Sequence, residues 1–194
     1  MKPFAVIKER YFQDFVFIHI NKNGGSSIEE ALGARHEHRT AQEKRTELGA
    51  KLWQKKFKFT VVRNPWDKVV SHYHYRVQTN QTKLGESPIP FPEWVCRSYG
   101  KHDPTYYDKP KMFMPQLDWL SDADGTVMVD FVARFENLQQ DFETICQRLN
   151  RTAQLPQLRK SQHSDYRKYY DEESKTVVAN SFLKDITHFG YRYE

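Results

Sequence analysis

Lys22, Asn23, Gly24, Gly25, Ser26 and Ser27 crowd into one short turn and make a candidate anion cradle. The turn follows the apolar run Phe15-Val-Phe-Ile-His-Ile20 and precedes a stretch with helical spacing. Glycines let backbone N–H groups approach an anion closely, and the first N–H groups of a helix lack partners within it. Those donors and the helix dipole favour a bound phosphate. Lys22 adds a mobile positive charge just before the glycines. The segment differs from the nucleoside-triphosphate loop G-x-x-x-x-G-K-[ST], where Lys directly precedes a metal-binding hydroxyl. Here Lys22 comes before both glycines, and no second acidic site on an apolar strand offers itself to Mg²⁺. The loop suits a phosphate-like group held without an obligatory metal. An ordinary glycine-containing strand–helix turn would use the same residues, so the loop alone leaves both readings open.

Arg63 and Ser71 form a second candidate. Arg63 follows the apolar run Lys58-Phe-Thr-Val-Val62, and Ser71 lies about two turns into the helix expected to begin at Pro65. A guanidinium binds a phosphate through two parallel N–H bonds, each charge-assisted bond contributing on the order of 1.5–3 kcal/mol. Pairing with Asp67 on a helix surface is the alternative for Arg63, and it would contribute little.

The elements that must hold these residues follow from periodicity. Short aromatic and β-branched runs predict strands over Asp14–Ile20, Lys58–Val62 and Val127–Arg134. Helices are expected over Ser26–Leu32, with Ser26 or Ser27 at the N-cap, Glu29 and Glu30 in the first turn and Gly33 as the stop. Others are expected over Ala41–Lys56, Pro65–Val77, Asn137–Leu149 and Asp171–Leu183, with a short one over Phe91–Tyr99. Gln78–Pro92, His102–Pro110 and Leu155–Tyr170 read as irregular. Strand, polar turn and helix recur twice, which points to an α/β fold with a mainly parallel sheet and ligands at the strand C-termini.

The chain has 194 residues, enough for one domain with a proper core. Only 38% of residues are apolar, but 14% are aromatic and bury much area each. A net charge of +5 suits an anionic ligand without demanding nucleic acid. No apolar run reaches the roughly 18 residues of a membrane span. The first ten residues do not resemble a secretory signal. Cys96 and Cys146 lie far apart with no C-x-x-C, so reduced thiols in a cytoplasmic protein are expected, without a disulfide or metal framework.

Two anion-binding turns in one small α/β domain imply a ligand with two separated anionic groups. Ile18-His-Ile-Asn-Lys-Asn-Gly-Gly-Ser-Ser27 resembles the 5′-phosphosulfate loop of sulfotransferases, and Phe59-Thr-Val-Val-Arg-Asn-Pro-Trp-Asp-Lys-Val-Val-Ser71 resembles their 3′-phosphate motif. The carbohydrate-type group containing the chondroitin 4-O- and heparan 2-O-enzymes, with many small bacterial members, is the most similar. Met114-Pro-Gln-Leu-Asp-Trp-Leu120, Asp130-Phe-Val-Ala-Arg-Phe-Glu-Asn-Leu138 and Phe189-Gly-Tyr191 look like its later landmarks, so the resemblance covers about Phe15 to Tyr193. Asn21 and Asn23 depart from it, standing where many relatives carry Pro and Thr.

This resemblance implies a single P-loop-like three-layer α/β/α domain. It implies transfer of a sulfuryl group from 3′-phosphoadenosine 5′-phosphosulfate (PAPS) to an acceptor hydroxyl or amine, a sugar hydroxyl being favoured. The product nucleotide is then 3′,5′-diphosphoadenosine (PAP), and no metal is required. The Gly24–Ser27 turn would hold the 5′-phosphate, with Lys22 at the bridging oxygen. Arg63 and Ser71 would grip the 3′-phosphate, and Lys160 and Ser161 would close over the nucleotide. His38 in His36-Glu-His-Arg-Thr-Ala41 resembles the family's His-x-Thr-Ala base, with His36 second. His19, His72 and His74 read as packing residues, and Trp66 as core rather than an adenine platform. A small P-loop kinase and a basic nucleic-acid-binding module are the rival readings. The first would need a Lys-[ST] pair, and no RNA-binding motif supports the second.

Overall fold

The computed structural model describes residues 3–156 and 165–194. In chain order the first elements are α1 (Pro3–Tyr11), β1 (Phe15–Ile18), α2 (Gly25–Leu32), α3 (Ala41–Leu48), α4 (Ala50–Lys55), β2 (Phe57–Val62) and α5 (Pro65–Gln78). Then come α6 (Phe91–Val95), α7 (Gln116–Leu120), β3 (Phe131–Arg134), α8 (Leu138–Arg148), α9 (Glu172–Ser181) and α10 (Leu183–Phe189). By internal contacts the chain divides into two compact units, Met1–Arg63 with Gln116–Lys160, and Asn64–Pro115 with Ser161–Glu194.

The first unit holds the sheet, ordered β1-β2-β3 and parallel throughout. Phe15 lies opposite Phe57, and Phe59 opposite Phe131. Side chains alternate across a strand, so the odd-numbered Phe15, Phe17, Phe59, Val61 and Ala133 share one face. They pack with Ile28 and Leu32 of α2 and Phe142 and Ile145 of α8. Val16, Ile18, Thr60 and Val62 take the other face and are also buried. There Lys58 lays its ammonium 5.9 Å from the Trp53 ring centre of α4. Both faces are thus covered, as an all-parallel sheet requires. Thr60, polar and fully buried in β2, donates its hydroxyl to the Ile18 carbonyl at 2.8 Å. The α/β parallel-sheet expectation holds.

Several boundaries move, each for a local reason. The expected helix Ala41–Lys56 is two helices, because Gly49 takes φ 84° and ψ 150°, outside helical space. Neither Ser26 nor Ser27 caps α2; Gly24 does, in left-handed conformation, and both serines lie inside the first turn. Glu29 and Glu30 fall beyond that turn, while Gly33 ends the helix at φ 61° as expected. β3 begins only at Phe131, since Val127 forms an isolated antiparallel bridge with Ser121 around the turn at Gly125. The last helix breaks at Phe182, a buried ring with φ −114°.

The second unit is helical and built on aromatics. Trp66, Val69 and Val70 of α5 pack with Phe91, Trp94, Tyr99, Phe113 and Phe182. Trp66 sits in this core and donates its indole N–H to the Lys175 carbonyl at 3.1 Å. The stretch between α5 and α6 contains one short 3₁₀ turn, Gln81–Lys83, and is otherwise irregular as expected. Among the described residues no helix is long and apolar enough to cross a membrane.

Phe142 is fully buried between α8 and the sheet. Phe142→Ala should destabilise the protein by about 3–5 kcal/mol, whereas Leu183→Ala, at an exposed position, should stay within roughly 0.5 kcal/mol. Denaturant midpoints of the two variants check this.

Candidate functional site

The turn after β1 is wound tightly. Lys22 takes φ 67° and Gly24 φ 78°, both left-handed. Such a conformation costs a non-glycine residue roughly 1–2 kcal/mol, so something must hold Lys22 there. Arg63 does part of this: its Nη1 donates to the Lys22 carbonyl at 2.9 Å. Gly24 is required by its backbone angle. Gly25 is required by space, because a Cβ there would lie 2.1 Å from the His19 ring. Ser27 donates its N–H to the Gly24 carbonyl at 3.2 Å, so the donors that lead the helix are those of Gly25 and Ser26. Ser26 is exposed, and Lys22 and Ser27 are half-buried.

Arg63 is only 2% exposed, so its guanidinium does not lie on a helix surface. Its guanidinium stacks 4.0 Å from the Phe135 ring centre. Its backbone is gripped by Gln116: the Arg63 N–H donates to Gln116 Oε1 and Gln116 Nε2 donates to the Arg63 carbonyl, both at 2.9 Å. Asn23 joins the same group. Its Nδ2 donates to Gln116 Oε1 and to the Val61 carbonyl, both at 2.7 Å. Both hydrogens of the Asn23 amide are therefore spent inside the protein, while its Oδ1 is buried without a hydrogen-bond partner among the described residues.

The histidines gather around one carboxylate. His19, just beyond β1, donates Nδ1–H to Glu29 Oε1 at 2.7 Å, and His36 donates Nδ1–H to Glu29 Oε2 at 2.5 Å. His38 Nδ1 lies 3.0 Å from the His19 carbonyl. A carbonyl only accepts, so neutral His38 carries its proton on Nδ1 and its lone pair on Nε2. The His38 ring centre is 4.3 Å from that of His19. The segment bearing His36 and His38 is fixed by ion pairs: Lys44 of α3 to Glu37 at 2.5 Å, and Arg35 to Glu47 at 2.7 Å.

Burial pushes the His38 pKa below the usual 6.5, and His19 adds to the effect; the His19 carbonyl only partly opposes it. Burial alone would raise the Glu29 carboxyl, but the His19 hydrogen bond and charge, then those of His36, outweigh it and hold the group below its ordinary 4.5. One ligand atom from each of His19, Glu29 and His36 lies within 4.8 Å of the others, a spacing a metal ion could use. Both imidazole Nδ1 atoms are already committed to the carboxylate.

Lys22, His38, Asn23, Gly24, Gly25, Ser26, Ser27 and Arg63 thus all belong to the first unit. Ser71 is buried on α5 in the second. Lys160 and Ser161 lie outside the described residues. His72 hydrogen-bonds the Tyr99 hydroxyl at 3.0 Å, and His74 packs against the Tyr169 ring, in keeping with packing roles. Glu29 and Gln116 went unnoticed as site residues in the sequence. Glu29 had a usable signal, since a carboxylate sharing a helix face with Gly25, Ile28 and Leu32 must find buried partners.

A family model described as "Sulfotransferase family" matches residues 5–192. No curated protein matches the chain.

Glu29→Gln keeps the shape but leaves one imidazole N–H facing an amide NH₂. The loss should be about 1.5–3 kcal/mol near neutral pH. Because the folded-state pKa of Glu29 is lowered, its contribution is present above about 4.5 and disappears as pH falls through the folded value. Stability curves of wild type and variant should therefore converge in acid; a gap that stays constant from neutral pH into that range would contradict the assignment.

Proposed function

The chain belongs to the sulfotransferase family, whose reaction is sulfuryl transfer, and from that premise we propose that it moves a sulfuryl group from PAPS to a hydroxyl on a carbohydrate. The observation that carries this reading is the meeting of three groups at the C-terminal end of β1. The Lys22 loop, Arg63 and His38 are joined there by hydrogen bonds to the Lys22 and His19 carbonyls. Ligands of open parallel sheets bind at such strand ends.

In this reading the backbone of Gly24, Gly25 and Ser26 cradles the 5′-phosphate of the donor, with the Ser26 and Ser27 hydroxyls beside it. Lys22 offsets negative charge growing on the bridging oxygen as the S–O bond breaks. Arg63 takes the 3′-phosphate through its guanidinium. Ser71 shares that role on the strength of the sequence motif alone. His38 Nε2 accepts the acceptor's proton as the hydroxyl oxygen attacks sulfur in line with the leaving phosphate. The lowered pKa keeps His38 neutral, and so competent as a base, at pH values where an ordinary imidazole is protonated. Backbone donors and side-chain cations meet the charge requirements of the step. His36 is the second candidate base, because the Glu29 carboxylate fixes its Nδ1 proton and its ring is exposed.

Labelled PAPS incubated with a panel of sugars in EDTA should yield sulfated product, and ATP with Mg²⁺ should not act as a donor. His38→Ala should lower turnover by about 10²–10⁴-fold with PAP affinity nearly intact. Lys22→Ala should cost about 10²–10³ in turnover. The acid limb of the wild-type kcat/KM profile, which reports the free enzyme, should lie below pH 6.5, since protonation of His38 abolishes the base. A limb at or above that value, or equal losses of turnover and PAP affinity in His38→Ala, would remove His38 from the role.

A further inference from the structure

Gln116 is fully buried and has a side-chain geometry that leaves no freedom in its orientation. Its amide pairs with both the N–H and the carbonyl of Arg63, as one peptide group pairs with another across a sheet. Because a backbone N–H only donates and a carbonyl only accepts, Oε1 and Nε2 are assigned without ambiguity. Oε1 then takes a second donor, Asn23 Nδ2, whose other hydrogen goes to the Val61 carbonyl. One amide from α7 therefore fastens the turn after β1 to Arg63, the residue that follows β2. Asn23 and Arg63 are 1% and 2% exposed, so these bonds are shielded from water. The contacts also explain Asn23: its NH₂ serves two acceptors at once, and a lone hydroxyl donates only one hydrogen.

We infer that Gln116 is a positioning residue that sets the separation between the 5′-phosphate turn and Arg63, and thereby makes the protein select adenosine nucleotides bearing both a 5′- and a 3′-phosphate. The inference rests on the donor assignment above. A nucleotide with a 5′-phosphate alone needs only the turn and is indifferent to where Arg63 stands. A bisphosphorylated one must satisfy both groups through a rigid ribose, so a shift between them is felt in full.

The test is a calorimetric comparison of PAP and 5′-AMP on wild type and Gln116→Met, which keeps the volume and removes the amide. The ratio of PAP to AMP affinity should fall about tenfold or more in Gln116→Met, with AMP affinity within roughly threefold of wild type. Asn23→Ala cuts the tie on the loop side only and should lower the same ratio; it also serves if Gln116→Met folds poorly. The double variant should lose less than the sum of the two, because both remove one connection. A preserved ratio in the variants, or additive losses, overturns the inference. A wild type that fails to prefer PAP over AMP instead overturns the donor assignment, so the two failures are told apart by the wild-type titration. A falling melting temperature with both affinities reduced in proportion would mean that Gln116 merely supports the fold.

Discussion

The structure turns on a tie between two neighbouring strand ends. The chain after β1 adopts left-handed angles at Lys22 and Gly24, and only Gly24 does so at little steric cost. The conformation persists because the end of β2 reaches across to it: the Arg63 guanidinium takes the Lys22 carbonyl, and the Val61 carbonyl takes the Asn23 amide. Strain in one turn is thus offset by hydrogen bonds from the next strand, the Asn23–Val61 bond buried and the Arg63–Lys22 bond partly so. Parallel pairing of β1 with β2 is the precondition, since only parallel neighbours bring both C-terminal ends to the same edge of the sheet.

The second constraint is electrostatic. Glu29 lies on the buried face of α2, directly behind the turn, and needs donors. His19 and His36 provide them, and the His19 ring fills the space that a side chain at position 25 would occupy. The same residue's carbonyl orients His38. One histidine therefore links the glycine turn, the buried carboxylate and the candidate base. Burial disfavours a charged His38, and the His19 ring beside it adds to that, so the His38 pKa is lowered.

Much of this was legible in the sequence, for identifiable reasons. The apolar runs at Phe15 and Lys58 and the glycines after the first are local signals, and they placed the parallel strands and the turn correctly. Pro65 marked the start of α5, and Gly33 the end of α2. Gly49 carried a break signal that a helical reading of Ala41–Lys56 overrode. The serines looked like caps because hydroxyls usually cap helices; left-handed Gly24 took that position instead. Gln116 could not be read locally, because its partners Asn23 and Arg63 are remote in sequence and meet it only once the sheet forms. The membership shown by the match over residues 5–192 agrees with the motif pair.

The central claim is that the edge of this sheet receives the two ends of one bisphosphorylated adenosine. Titrating PAP into the protein by calorimetry in EDTA, with Arg63→Ala alongside, addresses it most directly. The account predicts saturable one-to-one binding without metal, together with a selective loss of PAP affinity in Arg63→Ala that brings it close to that of 5′-AMP. Absence of binding by the wild type, or equal weakening of both nucleotides in the variant, would contradict it.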